Sequence, residues 1–198
     1  MDFNQIINRA KNMILNPVPE WEVVKQEAKP SKDILMNYVL PFVVLIGVCS
    51  FLGSLVFHMR YFSFGYALLS AIMVMIIAAA VVYITAWVMN ELSTSFGSQK
   101  NFDAAFRLVA YSLSAYFVAA SLSGLLSISV LSALISLCGL YSLYILWTGI
   151  GPMMATPEDK KAGYFVISIL VLLVAYIILG VILGWLFLRS GTGYAGFR

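Results

Sequence analysis

Charge is what this sequence has least of. Of its 198 residues only 11% are Asp, Glu, Lys or Arg, and it holds one histidine and two cysteines. Soluble domains carry roughly a quarter charged residues, so a water-soluble globular fold is excluded. Cys49 and Cys138 both sit in apolar runs, with no His or second Cys nearby. They read as small hydrophobes, with neither metal-ligand nor disulfide spacing. No HExxH, GxSxG or P-loop occurs, and no acidic pair lies within an apolar run. No enzymatic activity, cofactor or metal is therefore expected. Internal repeats are also missing, and the net charge of +3 has no basic cluster that would suit a nucleic acid.

What is abundant is apolar length. Hydrophobic residues make up 62% of the chain, and the mean hydropathy is +0.93. Residues 34–59, 61–90, 108–157 and 162–188 contain no side chain of fixed charge. A membrane-spanning helix needs about 20 such residues. Three of the runs fit one span each, and the third in order is long enough for two. Its break falls at "SLSGLLSIS", residues 121–129, where Gly124 and several serines cluster. The expected fold is an all-α integral membrane protein with five transmembrane helices. They cover about 34–57, 67–92, 104–122, 127–150 and 163–188. Pro41 can kink the first.

Residues 1–33 differ from the rest, with ten charged side chains and no apolar run suited to a cleavable signal. Phe3, Ile6, Ile7, Ala10, Met13 and Ile14 keep helical spacing, with polar residues opposite. In "NPVPEW", Asn16 can cap a second helix with Pro17 at its first position. Trp21, Val24 and Ala28 line one side of that helix, and Pro30 ends it. Two short amphipathic helices lying on the membrane surface are expected, with Trp21 as interfacial anchor. The organisation is then an amphipathic segment 1–33, a five-span domain 34–188 and a Gly-rich tail 189–198. With the N-terminus inside, Arg9, Lys11, Lys25, Lys29, Lys32, Lys100, Arg107, Lys160 and Lys161 lie inside. Arg60, Arg189 and Arg198 lie outside, and nine against three favours that orientation. The expected location is the cell (inner) membrane, N-terminus cytoplasmic and C-terminus outside.

Polar residues at membrane depth are the functional candidates. Glu91 closes the second span beside Asn90, and Asp103 and Arg107 stand one helical turn apart, spaced to pair. They form a polar cluster for a lipid headgroup, an ion or a partner, and with Trp21 a candidate surface for a partner or lipid. The plainer reading is a set of charges snorkelling from helix ends. Tyr83, Thr85, Tyr111, Ser112, Tyr141 and Tyr144 are the residues that would line a path through the spans of a small channel or transporter. His58, at the outer end of the first span with no acid nearby, reads as interfacial. Small residues at Gly47, Ser50 and Ser54, at Ser132, Ser136 and Gly139, and at Gly180 and Gly184 suit close helix packing within the chain. The partners this leaves are the lipid bilayer, a membrane or cytosolic protein, and a second copy of the chain.

The order of the segments "NPVPEW", "YVLPFVVL", "FGSQKNFDAAFRLVAYSLSAYFVA", "LCGLYSLYILWTGI" and "PEDKKAGY" resembles the Yip family (Ypt/Rab-interacting proteins) in its short bacterial form. The resemblance covers nearly the whole chain. It implies five spans, a cytosolic N-terminus and a role as a membrane-organising or partner-binding module. Pro41 matches the family's first-span proline, and Gly139, Tyr141 and Gly149 match its fourth-span pattern. Tyr111 and Ser112 match a Tyr-Ser pair of the third span, but Ala115 stands where the family places a proline. The usual cause of a kink is thus missing there. Relatives in eukaryotes bind Rab GTPases, an activity that does not carry over to a bacterial-type chain.

Overall fold

The computed structural model describes residues 3–58, 64–126 and 129–189. The expectations for the loop near residue 60 and for the C-terminal tail fall outside these, as does the side chain of His58. All the regular structure among the described residues is helical. Four segments are long and apolar enough to cross a membrane: Ser31–Phe57, Phe64–Phe96, Ala133–Met154 and Glu158–Trp185. A fifth candidate is a bent pair, Phe102–Ser112 with Ser114–Leu126. An all-α membrane protein with four or five spans is therefore what the sequence builds.

Helices α1 (Phe3–Leu15) and α2 (Pro17–Glu27) precede the spans. Asn16 takes the N-cap position, although its side chain makes no cap bond, and Pro17 opens α2. The helix closes at Ala28, in the left-handed region with φ 45°, whose N–H reaches the Val24 carbonyl at 3.2 Å. A side chain in that region costs roughly 1 kcal/mol, which the anchoring of nearby Lys29 and Ser31 to Arg107 and Asp103 must offset.

The first span comprises α3 (Ser31–Ile34), a π-helical turn over Leu35–Val39 and α4 (Leu40–His58). In the π turn the Leu40 N–H reaches back to the Leu35 carbonyl. Pro41 comes next and has no N–H to give to the Asn37 carbonyl. A wide turn at that point lets the helix pass the proline without breaking. The remaining elements are α5 (Phe64–Leu92), a 3-10 turn at Ser93–Phe96, α6 (Phe102–Ser112), α7 (Ser114–Leu126), α8 (Ser129–Cys138), α9 (Tyr141–Met154) and α10 (Glu158–Arg189). The fourth span is thus two helices, α8 and α9, and it runs a turn beyond the expected end.

The bent pair turns by 43° between α6 and α7, although Ala115 replaces the proline. Serine chemistry supplies the cause. Ser114 Oγ donates to the Tyr111 carbonyl at 2.5 Å, so its single proton is used. The Tyr38 hydroxyl, 2.6 Å away, must then be the donor to Ser114 Oγ. The chain Tyr38 to Ser114 to Tyr111 carbonyl ties the distorted first span to the bend in the third. Serine back-bonding of this kind bends helices.

Helix α4 packs closely on α5 and on α7, α5 on α6 and α10, and α6 on α9. A Cβ on Gly47 would lie 2.5 Å from the Met75 side chain, and one on Gly124 would lie 2.7 Å from Ser50 Oγ. Gly47 and Ser50 bring helices together as expected, and Gly124, expected only to mark a break between spans, does so too. Gly180 and Gly184 do not: among the described residues, apart from the adjoining residues and the helix's own nearby backbone, no atom lies within 4 Å of a Cβ built on either. Helix α10 is the least buried span, so this glycine pair faces outward, against the expectation of internal packing.

Replacing Ser114 by Ala should strand the Tyr38 hydroxyl, which is fully buried. A loss of about 1–2 kcal/mol is expected, read as a lower melting temperature in detergent. Adding Tyr38→Phe should recover part of it, because removing both partners leaves nothing unsatisfied.

Candidate functional site

The helix α2 enters the bundle through one aromatic ring. Trp21 is fully buried, so the expectation of an interfacial anchor or exposed contact is corrected. Its apolar neighbours Pro17 and Val24 share the buried side of α2. The ring N–H is shared between the Ile145 carbonyl and Thr148 Oγ1, each at 3.2 Å. Thr148 in turn donates to the same carbonyl at 2.8 Å. The ring lies close against α9 because residue 149 is glycine. A Cβ there would fall 2.5 Å from Trp21 Cε2 and 2.7 Å from Leu108 Cδ1.

Charge completes the docking. Arg9 of α1 forms ion pairs with Glu20 and Glu27 of α2, and Lys29 Nζ lies 2.9 Å from Glu27. Burial pushes the Glu27 carboxyl up. The hydrogen bond and charge of Lys29, with the Arg9 guanidinium, outweigh this and hold it below its ordinary value.

Asp103 and Arg107 do not pair with each other, contrary to their spacing. Asp103 Oδ1 accepts the Ser31 backbone N–H at 2.8 Å, and Arg107 donates to the Lys29 carbonyl at 2.7 Å. Both grip the link between α2 and the first span. Asn101 accepts the Ala104 N–H at 3.1 Å, which caps α6 and presents Asp103 in its first turn. Asp103, Arg107 and Trp21 thus belong to one internal clamp that holds α1 and α2 as a cap on the bundle. Glu91 stands apart from it. It pairs with Lys100 at 2.6 Å, both side chains being nearly half exposed. Nearby, Ser98 and Thr156 hydroxyls meet at 2.8 Å, and Gln99 N–H bonds the Met154 carbonyl at 2.9 Å.

Beneath the cap lies a polar recess of about 300 Å³ lined by Gln5, Lys29, Asp33, Ile34, Asn37 and Tyr111. It adjoins a shallower hollow of about 440 Å³ that shares Gln5 and Lys29 and includes Asn8, Arg9 and Asn12. Tyr111 is 1% exposed, and its hydroxyl has no hydrogen-bond partner among the described residues. Its ring meets Tyr38 edge-on at 4.7 Å and lies 5.8 Å from the Arg9 guanidinium carbon.

The candidate path residues are not brought together. Tyr111 opens on the polar recess. Ser112 borders an apolar void of about 10 Å³. Thr85 is fully buried, its hydroxyl without a partner among the described residues. Tyr83, Tyr141 and Tyr144 lie on the outer surface of the bundle, 51%, 39% and 48% exposed. Half of the set faces away from the interior, so it lines no common path. Sequence reasoning also missed the Arg9–Glu20–Glu27 clamp. Two glutamates two turns apart on α2, opposite the polar side of α1, were the available signal. Among the described residues no group of His, Cys, Asp and Glu is arranged to hold a metal.

The Yip1 domain matches residues 11–182 of the chain. The protein belongs to the Yip1-domain family. The match opens inside α1 and closes inside α10, so it takes in the cap helix α2 together with the spans of this Yip1-domain protein. No curated protein and no solved structure matches the chain.

Gly149→Val should prevent α2 from seating against α9 and let trypsin cleave faster at Lys25 and Lys29, because the backbone of α2 loosens, while the spans keep their helicity by circular dichroism. Overpacking of this kind costs about 1–3 kcal/mol. Acid should loosen the same cap. The folded value of Glu27 is depressed, so its contribution is present above the ordinary glutamate range. It is lost as pH falls through the lower folded value. Amide exchange in α1 and α2 should rise across that window, and Glu27→Gln should flatten the response.

Proposed function

We propose that this Yip1-domain protein is a non-enzymatic, multi-pass membrane protein that binds a protein partner and organises membrane through its capped face. The observation that carries the reading is the built cap: α1 and α2 are clamped to each other and to the bundle, and Gln5 of α1 lines a polar recess together with Lys29, Asp33, Ile34, Asn37 and Tyr111, whose hydroxyl has no partner among the described residues. Lysine and arginine are concentrated at this end of the chain's spans, nine against three. On that count the capped face is cytoplasmic, in the inner membrane of the cell, with the C-terminus outside. Water-facing Val23 and the amides Gln5, Asn8 and Asn12 border the concavity. They are the groups a partner would meet first. A channel reading is weaker, because the path residues point in different directions.

Photo-crosslinking groups at Asn8 and Val23 should trap one discrete protein adduct in intact cells. The adduct should vanish when Trp21→Ala undocks the cap. A group at Val181, on the open side of α10, should not give it. Adducts that are equal at all three sites, or that survive Trp21→Ala, would overturn the proposal.

A further inference from the structure

A groove of about 660 Å³ runs between α1 and α4, on the side of α1 away from the polar recess. Helix α1 packs chiefly on α2, α6 and α7, so its remaining apolar flank stands off from the first span. Ile7 and Ile14 form one wall, Pro41, Leu45 and Val48 the other, and Val118 of α7 also lines it. The volume lies in the range of specific ligand pockets. Its span-side wall is the lipid-level part of a membrane helix, where Val44, Leu45 and Val48 are 52%, 44% and 49% exposed. Whatever fills it comes from the bilayer.

Charge selects the kind of lipid. Helix α1 carries two cations, Arg9 and Lys11. Arg9 is neutralised by Glu20 and Glu27. Lys11 is the one charged residue lining the groove, and it has no ion-pair partner among the described residues. An apolar trough with an uncompensated ammonium beside it matches an acyl chain whose headgroup is anionic. We propose that the groove seats one anionic phospholipid, its chain along Pro41, Leu45 and Val48 and its phosphate at Lys11. The site is independent of any partner that meets the capped face.

The test is native mass spectrometry of the full chain released from detergent, titrated with phosphatidylglycerol or with phosphatidylcholine. The wild type should retain one phosphatidylglycerol about fivefold more strongly than phosphatidylcholine, the size expected for one lysine at a charged headgroup. Lys11→Glu should abolish that preference, and Lys11→Arg should keep it. Leu45→Trp, or Val44→Trp if the first does not fold, should fill the trough and cut retention of both lipids. Equal retention of the two lipids by the wild type would overturn the proposal. So would an unchanged preference in Lys11→Glu, or a lipid-free dimer in place of the lipid-bound form.

Discussion

The contact of Trp21 with Gly149 is the constraint on which the rest of the capped face depends. A tryptophan brings a large apolar area and one obligatory donor, and both needs must be met at the same spot. Inside a membrane helix the backbone carbonyls are already bonded, so a side-chain donor finds few acceptors. The Ile145 carbonyl is one, because Thr148 and Trp21 share it through its second lone pair. The absence of a Cβ at Gly149 lets the ring come close enough to use it. Once the ring is seated, the rotation of α2 is fixed. Glu20 and Glu27 then face α1, Arg9 is drawn between them, and the underside of α1 closes over Tyr111.

A second order of constraint lies one layer deeper, where two spans are deformed at the same level. The π turn at Leu35–Val39 and the bend at Leu113 are joined by the hydroxyl chain from Tyr38 through Ser114. Each deformation frees backbone groups that hydrocarbon would not tolerate. At the bend neighbouring side chains satisfy them, Ser114 donating to the Tyr111 carbonyl and Ser142 Oγ accepting the Tyr116 N–H, and Phe42 and Phe117 stack at 5.4 Å just below. The distortions therefore sit where the cap meets the bundle, and the polar recess opens at the same place.

The fold was legible because it is written in local signals. Charge-free runs mark the spans, two-faced periodicity marks α1, and Asn16-Pro17 marks the start of α2. The site was not, because its partners are remote. Trp21 bonds a residue 124 positions away, and nothing in its local spacing distinguishes a wedge from an interfacial anchor. Asp103 and Arg107 show the same limit. Their spacing favours a pair, yet the N–H of Ser31 and the carbonyl of Lys29 compete better. A weak local pairing yields to groups that the fold brings near and that would otherwise be unsatisfied. The third-span bend escapes for a different reason: a missing proline reads as a missing cause, whereas a serine one residue earlier supplies another.

Concentrating polarity at one end of the bundle has a consequence for recognition. Arg9, Glu20, Glu27 and Lys29 balance one another within the cap, and Asp103 and Arg107 are spent on the link at Lys29–Ser31. A polar-rich sequence segment thus presents little net charge of its own at the recess. In the proposed reading, recognition there would rest on amides, the Asp33 carboxylate, the Tyr111 hydroxyl and shape. Long-range attraction is left to the exposed lysines outside the clamp, Lys11, Lys25 and Lys32, which face the anionic bilayer surface as readily as a protein. On the proposed reading the two tasks divide between different residues of the same short segment, charge to hold the membrane and polarity at the recess to discriminate.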